Sequence, residues 1–299
     1  MACAGSYMVR IELTIDLRYD VAAPGGDFVF NIHGAHTRSQ TIHSENLNIS
    51  QAVPPQVFTD PATHNRYLRL SALPGPLQVT YHAVVDLHHH FAQPHDVAEI
   101  PVSRLPPEVL SYIYPSRYCQ SDRLGTLAMA EFGELRQGYG RVLAIQDWVR
   151  RNVKFKQNTT NSNTSAIDTL IDRVGVCRDF AHLMIALCRA LSIPARFATG
   201  IDFGADPVLG PTDFHAYVEV FLGNRWYMFD PSGTAIPMGF VRFGTGRDAA
   251  DVSFATIFGP VMTQAPRIQV AALSNVGGTW EQPRHRLEAI STDAAVTAA

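Results

Sequence analysis

Residues 9–19 alternate strictly, with Ile11, Leu13, Ile15, Leu17 and Tyr19 on one face and Glu12, Thr14, Asp16 and Arg18 on the other. That period of two predicts a half-buried antiparallel strand. Pro24-Gly25-Gly26 ends it, and further strands are predicted over 27–32, 40–50, 66–72 and 77–90, separated by Gly, Pro and Asn turns. No helical period occurs before residue 105, so the first third is expected to be a β-sandwich or similar sheet domain. A Pro-rich passage at 101–115 follows.

Beyond Ser121, placed as a helix N-cap, the period changes. Leu124, Leu127, Ala128, Ala130 and Leu135 predict one helix, and Val142, Ile145, Val149 and Val153 a second over 139–155. The polar tract 157–164 predicts a loop, and Thr164 or Ser165 restarts a short helix over 166–173. From Phe180 the positions Leu183, Met184, Leu187, Cys188 and Leu191 recur at the spacing of one helical face. Cys177 falls at the start of this helix, just after Gly175. The unpaired N–H groups and dipole of a helix N-terminus favour a thiolate, the nucleophilic form of cysteine, and can also hold an oxyanion. A small buried hydrophobe is the plain alternative for a lone cysteine.

The segment 213–231 decides between these. Two runs rich in β-branched and aromatic residues flank Gly223-Asn224, a turn pair that closes a tight hairpin. Leu222 then pairs with Arg225, and counting outward sets Tyr217 opposite Asp230. His215, Tyr217 and Asp230 share a face, with His215 and Asp230 diagonal neighbours at roughly 7–8 Å along the backbone. A carboxylate within reach of an imidazole fixes its tautomer. Cys177 as nucleophile, His215 as base and then acid, and Asp230 as orienter are the residue types of an activated-cysteine site, with Tyr217 bounding the substrate cleft. His182, five residues from Cys177 on the polar side of the same helix, is badly placed to serve that thiol. Arg178 and Asp179 are expected to hold the helix N-terminus, and Glu219 to be paired or exposed.

Three blocks, 175–183 (GVCRDFAHL), 213–220 (DFHAYVEV) and 226–232 (WYMFDPS), resemble in order and spacing the motif blocks of the bacterial transglutaminase-like superfamily. Residues 114–122 and 246–252 are similar to further blocks of bacterial members, and the N-terminal third resembles the β-rich region preceding their core. The resemblance implies an α+β chain: a β-rich N-terminal domain over 1–105, a papain-like transglutaminase core over 106–270 whose nucleophile helix packs on an antiparallel sheet, and a C-terminal extension over 271–299. From Trp280 onward that extension is expected to be a loosely ordered tail. The resemblance also implies a Cys-His-Asp triad on Cys177, His215 and Asp230. Trp148 stands upstream of the cysteine, where animal transglutaminases keep an oxyanion donor, but its apolar neighbours favour core packing and it is left out of the site.

Composition narrows the chemistry. With 299 residues, 46% hydrophobic and 17% charged, the chain has the balance of an ordinary globular protein. A net charge of −3 gives no reason to expect nucleic acid or an anionic membrane as partner. The N-terminus has no signal-peptide pattern and no apolar run reaches membrane-spanning length, so the expected location is cytoplasmic. Cys3, Cys119, Cys177 and Cys188 form no disulfide framework or zinc spacing. In His88-His89-His90 alternate residues point oppositely and no carboxylate or cysteine stands at ligand spacing, so no metal is assigned. No acidic loop has calcium spacing, and no cofactor is expected. The chemistry is then acyl transfer on a protein or peptide substrate, to water as a cysteine peptidase or amidase, or to an amine as a transglutaminase or acyltransferase. A papain-like binding module with an idle triad is the reading from another class.

Overall fold

The computed structural model describes residues 8–204, 208, 212–275 and 280–293; Cys3 lies outside them. Strand β1 (Met8–Val21) realises the predicted alternation, burying each odd-numbered residue from Val9 to Val21. Of the next strands, β2 (Gly26–Phe30), β3 (Gln40–Ile49), β5 (Arg66–Ala72) and β6 (Gly75–His88) match expected segments, while β4 (Gln56–Thr59) was not foreseen. β1 and β6 pair antiparallel over their whole length, from Met8 opposite His88 to Val21 opposite Gly75. One sheet contains β1, β6 and β3, and a second places β2 beside β5 and β5 beside β4. Ile11, Leu13, Ile15, Val79 and Tyr81 from the first sheet and Phe28, Phe30, Leu68 and Leu70 from the second belong to one apolar core, as in a β-sandwich.

Short β7 (His90–Ala92) leads into 3-10 turns at Val102–Arg104 and Pro107–Ile113, where the prolines fix the backbone. Ser121 does not cap a helix: it starts a 3-10 turn, and α1 (Gly125–Phe132) follows Leu124 without a side-chain cap. Next come α2 (Tyr139–Asn152), β8 (Lys154–Phe155), α3 (Ala166–Asp172), β9 (Val174–Gly175) and α4 (Cys177–Ala190). Ser165 and Asp168 form a capping box on α3.

Beyond α4, strands β10 (Ala195–Asp202), β11 (His215–Leu222), β12 (Arg225–Phe229) and β13 (Phe240–Gly246) make an antiparallel sheet ordered β12-β11-β10-β13. One face of this sheet, through Phe197, Ala216, Val218, Val220 and Leu222, shares a core with α4 and the other helices. Its other face, through Ala198, Tyr217, Met228, Val241 and Phe243, joins the core of the sandwich. Covered on both sides, α4 buries every residue from Asp179 to Arg189, so the polar side expected for it does not exist. Helix on sheet, preceded by a β-rich region, is the expected α+β architecture.

Two segments depart from expectation. Strands β14 (Ala255–Phe258), β15 (Val261–Thr263) and β16 (Arg267–Leu273) return to the N-terminal sandwich, where β14 pairs with β2 and the other two with β1. Apolar and exposed positions alternate in them as in an outer strand, a pattern too short to stand out in the sequence. The chain after Trp280 is not loose through Asp293. β17 (Ala289–Ser291) pairs with β7. Asp293 joins Arg196 and Arg242 around buried Glu219, with separations of 2.6 Å to Arg196 and 3.1 Å to Arg242. Glu219 is thus paired, as expected. No group of three His, Cys, Asp or Glu stands at metal-binding geometry among the described residues.

Candidate active site

Cys177 is set by the turn before it. β9 pairs in parallel with β8, and at Gly175 an added Cβ would sit 2.7 Å from the Cβ of Asp179, so only glycine fits. The Asp179 carboxylate accepts the Val176 N–H at 2.9 Å and the Thr160 hydroxyl at 2.8 Å, closing the first turn of α4. The Arg178 guanidinium donates to Asp179 at 3.0 Å and to the Asn161 carbonyl at 2.9 Å. The polar tract 157–164 is thereby strapped to the nucleophile helix. Asp179 and Arg178 hold the helix end, as the sequence reading had it. Cys177 is the first helical residue, partly exposed, with its sulfur 4.0 Å from the Phe214 carbonyl and beside the His215 ring.

The hairpin forms as counted. Gly223 and Asn224 have φ of 52° and 63°, the left-handed pair of a type I′ turn, and Leu222 pairs with Arg225 and Val218 with Phe229. Continuing that register places Tyr217 opposite Asp230 and His215 diagonal to it. The His215 Nε2 lies 3.4 Å from Asp230 Oδ1. The imidazole stacks on Phe240, ring centres 5.2 Å apart. Asp230 is anchored in turn: its Oδ1 accepts the Ser232 hydroxyl at 2.5 Å and the Ser232 N–H at 3.1 Å, and its Oδ2 accepts the Ala235 N–H at 3.2 Å. The three residues come from two chain segments and meet at one point.

Burial alone would lower the His215 pKa, but the Asp230 charge and the interaction with the neighbouring Cys177 sulfur outweigh it and hold the imidazole well above its ordinary value. For Asp230 burial acts upward; the His215 charge and the bonds from Ser232 and Ala235 prevail and keep its carboxylate below the usual range. The arrangement therefore favours an imidazolium beside the sulfur, backed by an ionised carboxylate. A cleft of about 830 Å³ opens on Cys177 and His215, walled by Phe155, Phe197, Phe214 and Phe254.

Tyr217 is a correction. It shares the face of His215, but it is 1% exposed, stacks on Phe240 at 4.3 Å and does not line the cleft. The sandwich covers that face of the sheet, which the hairpin pattern alone does not reveal. The Trp148 indole N–H donates to Glu131 at 3.1 Å, consistent with leaving it out of the site. His182 is buried between Tyr118 and Phe197, accepts the Ala249 N–H at 3.2 Å and is kept well below its ordinary pKa by burial. It is remote from the thiol's chemistry for a reason other than the polar face first assigned to it.

Sequence reasoning missed Asp202. It ends β10, is 2% exposed, lines the cleft and places Oδ2 3.5 Å from His215 Nδ1. Gly200 pairs with His215, so Asp202 is a diagonal neighbour on the same face, as Asp230 is from the other side. The same counting would have found it had the register of β10 against β11 been known. Twelve residues, 203–214, separate those strands, and no tight turn fixes their pairing.

Comparison with known proteins agrees with this architecture. The profile of the transglutaminase-like superfamily matches residues 129–231, and that of the bacterial transglutaminase N-terminal domain matches 9–108. The chain belongs to the transglutaminase-like superfamily. It is similar to a crystal structure named "Putative Cysteine Protease from Cytophaga hutchinsonii", at 38% identity and a TM-score of 0.87 over 96% of this chain and 98% of that one. An uncharacterized protein of Mycobacterium leprae is 33% identical over 117 residues, 38% of this chain and 42% of that protein. One of Mycobacterium bovis is 30% identical over 109 residues, 33% and 35% of the two chains. The aligned part thus spans less than half the length of these curated relatives.

Proposed function

We propose that the protein is a cysteine-dependent acyl-transfer enzyme acting on amide bonds of a peptide or protein, with water as the usual acceptor. The reading rests on one observation: a thiol at a helix N-terminus beside an imidazole whose far nitrogen faces an anchored, ionised carboxylate. The Cys177 thiolate attacks the carbonyl carbon, and the oxyanion that forms is held by first-turn N–H groups of α4, which have no partners within the helix. His215 gives its proton to the departing amine as the C–N bond breaks, leaving a thioester on Cys177. Neutral His215 then takes a proton from water, the hydroxyl adds to the thioester carbonyl, and the carboxylic acid leaves as the C–S bond breaks, restoring the Cys177 thiolate beside a protonated His215. Asp230 keeps the ring oriented and stabilises its cationic form without itself becoming protonated.

Two features favour water over an amine as acceptor. The cleft wall carries Asn158, Ser162, Thr199 and Thr234, polar groups able to hydrogen-bond a water beside a thioester. The Cytophaga relative, aligned over nearly the full chain, carries the name of a cysteine protease. The test is a peptide library with products followed by mass spectrometry, with and without an added primary amine. Free-acid products in both conditions, lost in Cys177→Ala, are expected. Products that appear only with the amine would move the reading to a transferase, and no product under either condition would overturn it.

A further inference from the structure

The candidate centre contains a second carboxyl group for which the triad has no use. We propose that Asp202 is a positioning residue: its carboxyl packs beside the Nδ1 edge of His215 while Asp230 faces the Nε2 edge, limiting rotation of the imidazole beside the Cys177 sulfur and leaving the Nδ1 proton free for the reaction. This rests on the acyl-transfer reading and adds a component to it.

The placement is built into the sheet. His215 stands on β11 between β10 and β12, with one diagonal carboxyl at the end of β10 and another just after β12. Separations of 3.5 Å from Nδ1 and 3.4 Å from Nε2 make the two sides nearly symmetrical. Against the Thr199–Gly200 step of β10 the partner strand β13 carries one extra residue, Phe243, and such a bulge increases the local twist of the pair. Gly200 cannot be replaced there, because an added Cβ would lie 2.0 Å from the Val241 carbonyl oxygen. The ring itself lies on Phe240, which pairs with Asp202 across β10 and β13.

The two carboxyls differ in what else they touch. Asp230 accepts three hydrogen bonds from the turn after it, whereas Asp202 Oδ2 is buried and has no hydrogen-bond partner. Burying a polar oxygen without a hydrogen bond is costly, and the imidazole edge 3.5 Å away is the group that this placement serves. Burial and the Asp230 charge push the Asp202 carboxyl upward against the pull of His215, while Asp230 is held down. The ionisable groups around it are His215 on β11, Asp230 after β12 and, beside the ring, Cys177 on α4. Two carboxyls flanking one imidazole are thus pushed in opposite directions, which is how paired acids take separate roles. At 3.5 Å from Nδ1 the Asp202 carboxyl restricts ring rotation in either of its protonation states.

The experiment follows kcat, KM and the pH dependence of Cys177 alkylation in the wild type, Asp202→Asn and Asp202→Ala. Asp202→Ala is expected to lower kcat by roughly 10- to 100-fold, the range for losing a group that orients a reacting side chain, with KM little changed. Asp202→Asn keeps an acceptor of the same shape, so it should recover most of kcat yet displace the acidic limb of the alkylation profile. A purely structural role would move neither limb. The inference is overturned if the Asn profile superimposes on the wild type, a criterion that stands even where the Ala variant does not fold. A wild-type Cys177 no faster than a free thiol would instead sink the acyl-transfer reading, and this inference with it.

Discussion

Replacing Asp230 by asparagine removes one charge from the site with little change of shape. Two unit charges 3.4 Å apart attract by about 5 kcal/mol at an effective dielectric of about 20. Part of that is offset by relaxation of the turn and entry of water, and the remainder lowers the His215 pKa. The sign follows from the opposing effects: burial already lowers the imidazole, and with Asp230 neutral the chief opposing charge is gone. The imidazolium then gives up its proton at lower pH, and the basic limb of the alkylation and turnover profiles moves down with it. kcat should fall by roughly 10²–10⁴-fold, since the ring also loses its fixed tautomer. Asparagine cannot accept at both Oδ positions, so one of the bonds from Ser232 or Ala235 is lost, at about 1–3 kcal/mol of stability. Circular dichroism and urea unfolding check that the fold persists. A folded Asp230→Asn protein with an unmoved basic limb would refute the electrostatic account.

Four further outcomes are expected. A limiting alkylator should modify Cys177 before Cys119 and Cys188, which are fully buried, the Cys119 thiol being pushed up to about 12 by burial; equal labelling of all three would contradict the site's geometry. Asp179→Ala should cost about 2 kcal/mol in urea unfolding, through loss of the bond to Val176 N–H that starts α4, and an unchanged midpoint would count against that role. Arg242→Met leaves Glu219 and Asp293 short of a partner in a buried network and should destabilise by about 3–5 kcal/mol. In the same network Asp293 titrates below its unfolded value, so its contribution is present above about pH 4 and is lost as pH falls through the folded pKa; stability of wild type and Arg242→Met should therefore converge in acid.

The sequence made different parts of this molecule legible to different degrees. The β11–β12 hairpin was readable because Gly223-Asn224 sets the register within two residues, and with the register came the pairing of His215 and Asp230. The start of α4 was readable because Gly175 and Asp179 are local signals. Asp202 was hidden by the same logic in reverse: its partner strand is reached only after a long connection, so no count carries across. Tyr217 and His182 were misjudged because burial there comes from elements distant in sequence, the sandwich over one face of the sheet and the turn around Ala249 over the helix. The returning strands β14 to β16 and the segment ending at Asp293 were missed for a similar reason. They are short edge elements whose order comes from pairing with β1, β2 and β7 and from ion pairs with Arg196 and Arg242, not from any period of their own.

The central claim is that one sulfur carries the acyl group. It is tested most directly by rapidly quenching the protein with an activated peptide ester and mapping the adduct by mass spectrometry. The account predicts one acyl group per chain, on Cys177, forming in a burst and decaying at the steady-state rate, with the burst strongly slowed in His215→Ala. Turnover that persists in Cys177→Ala, or an acyl group found on another residue, would contradict it.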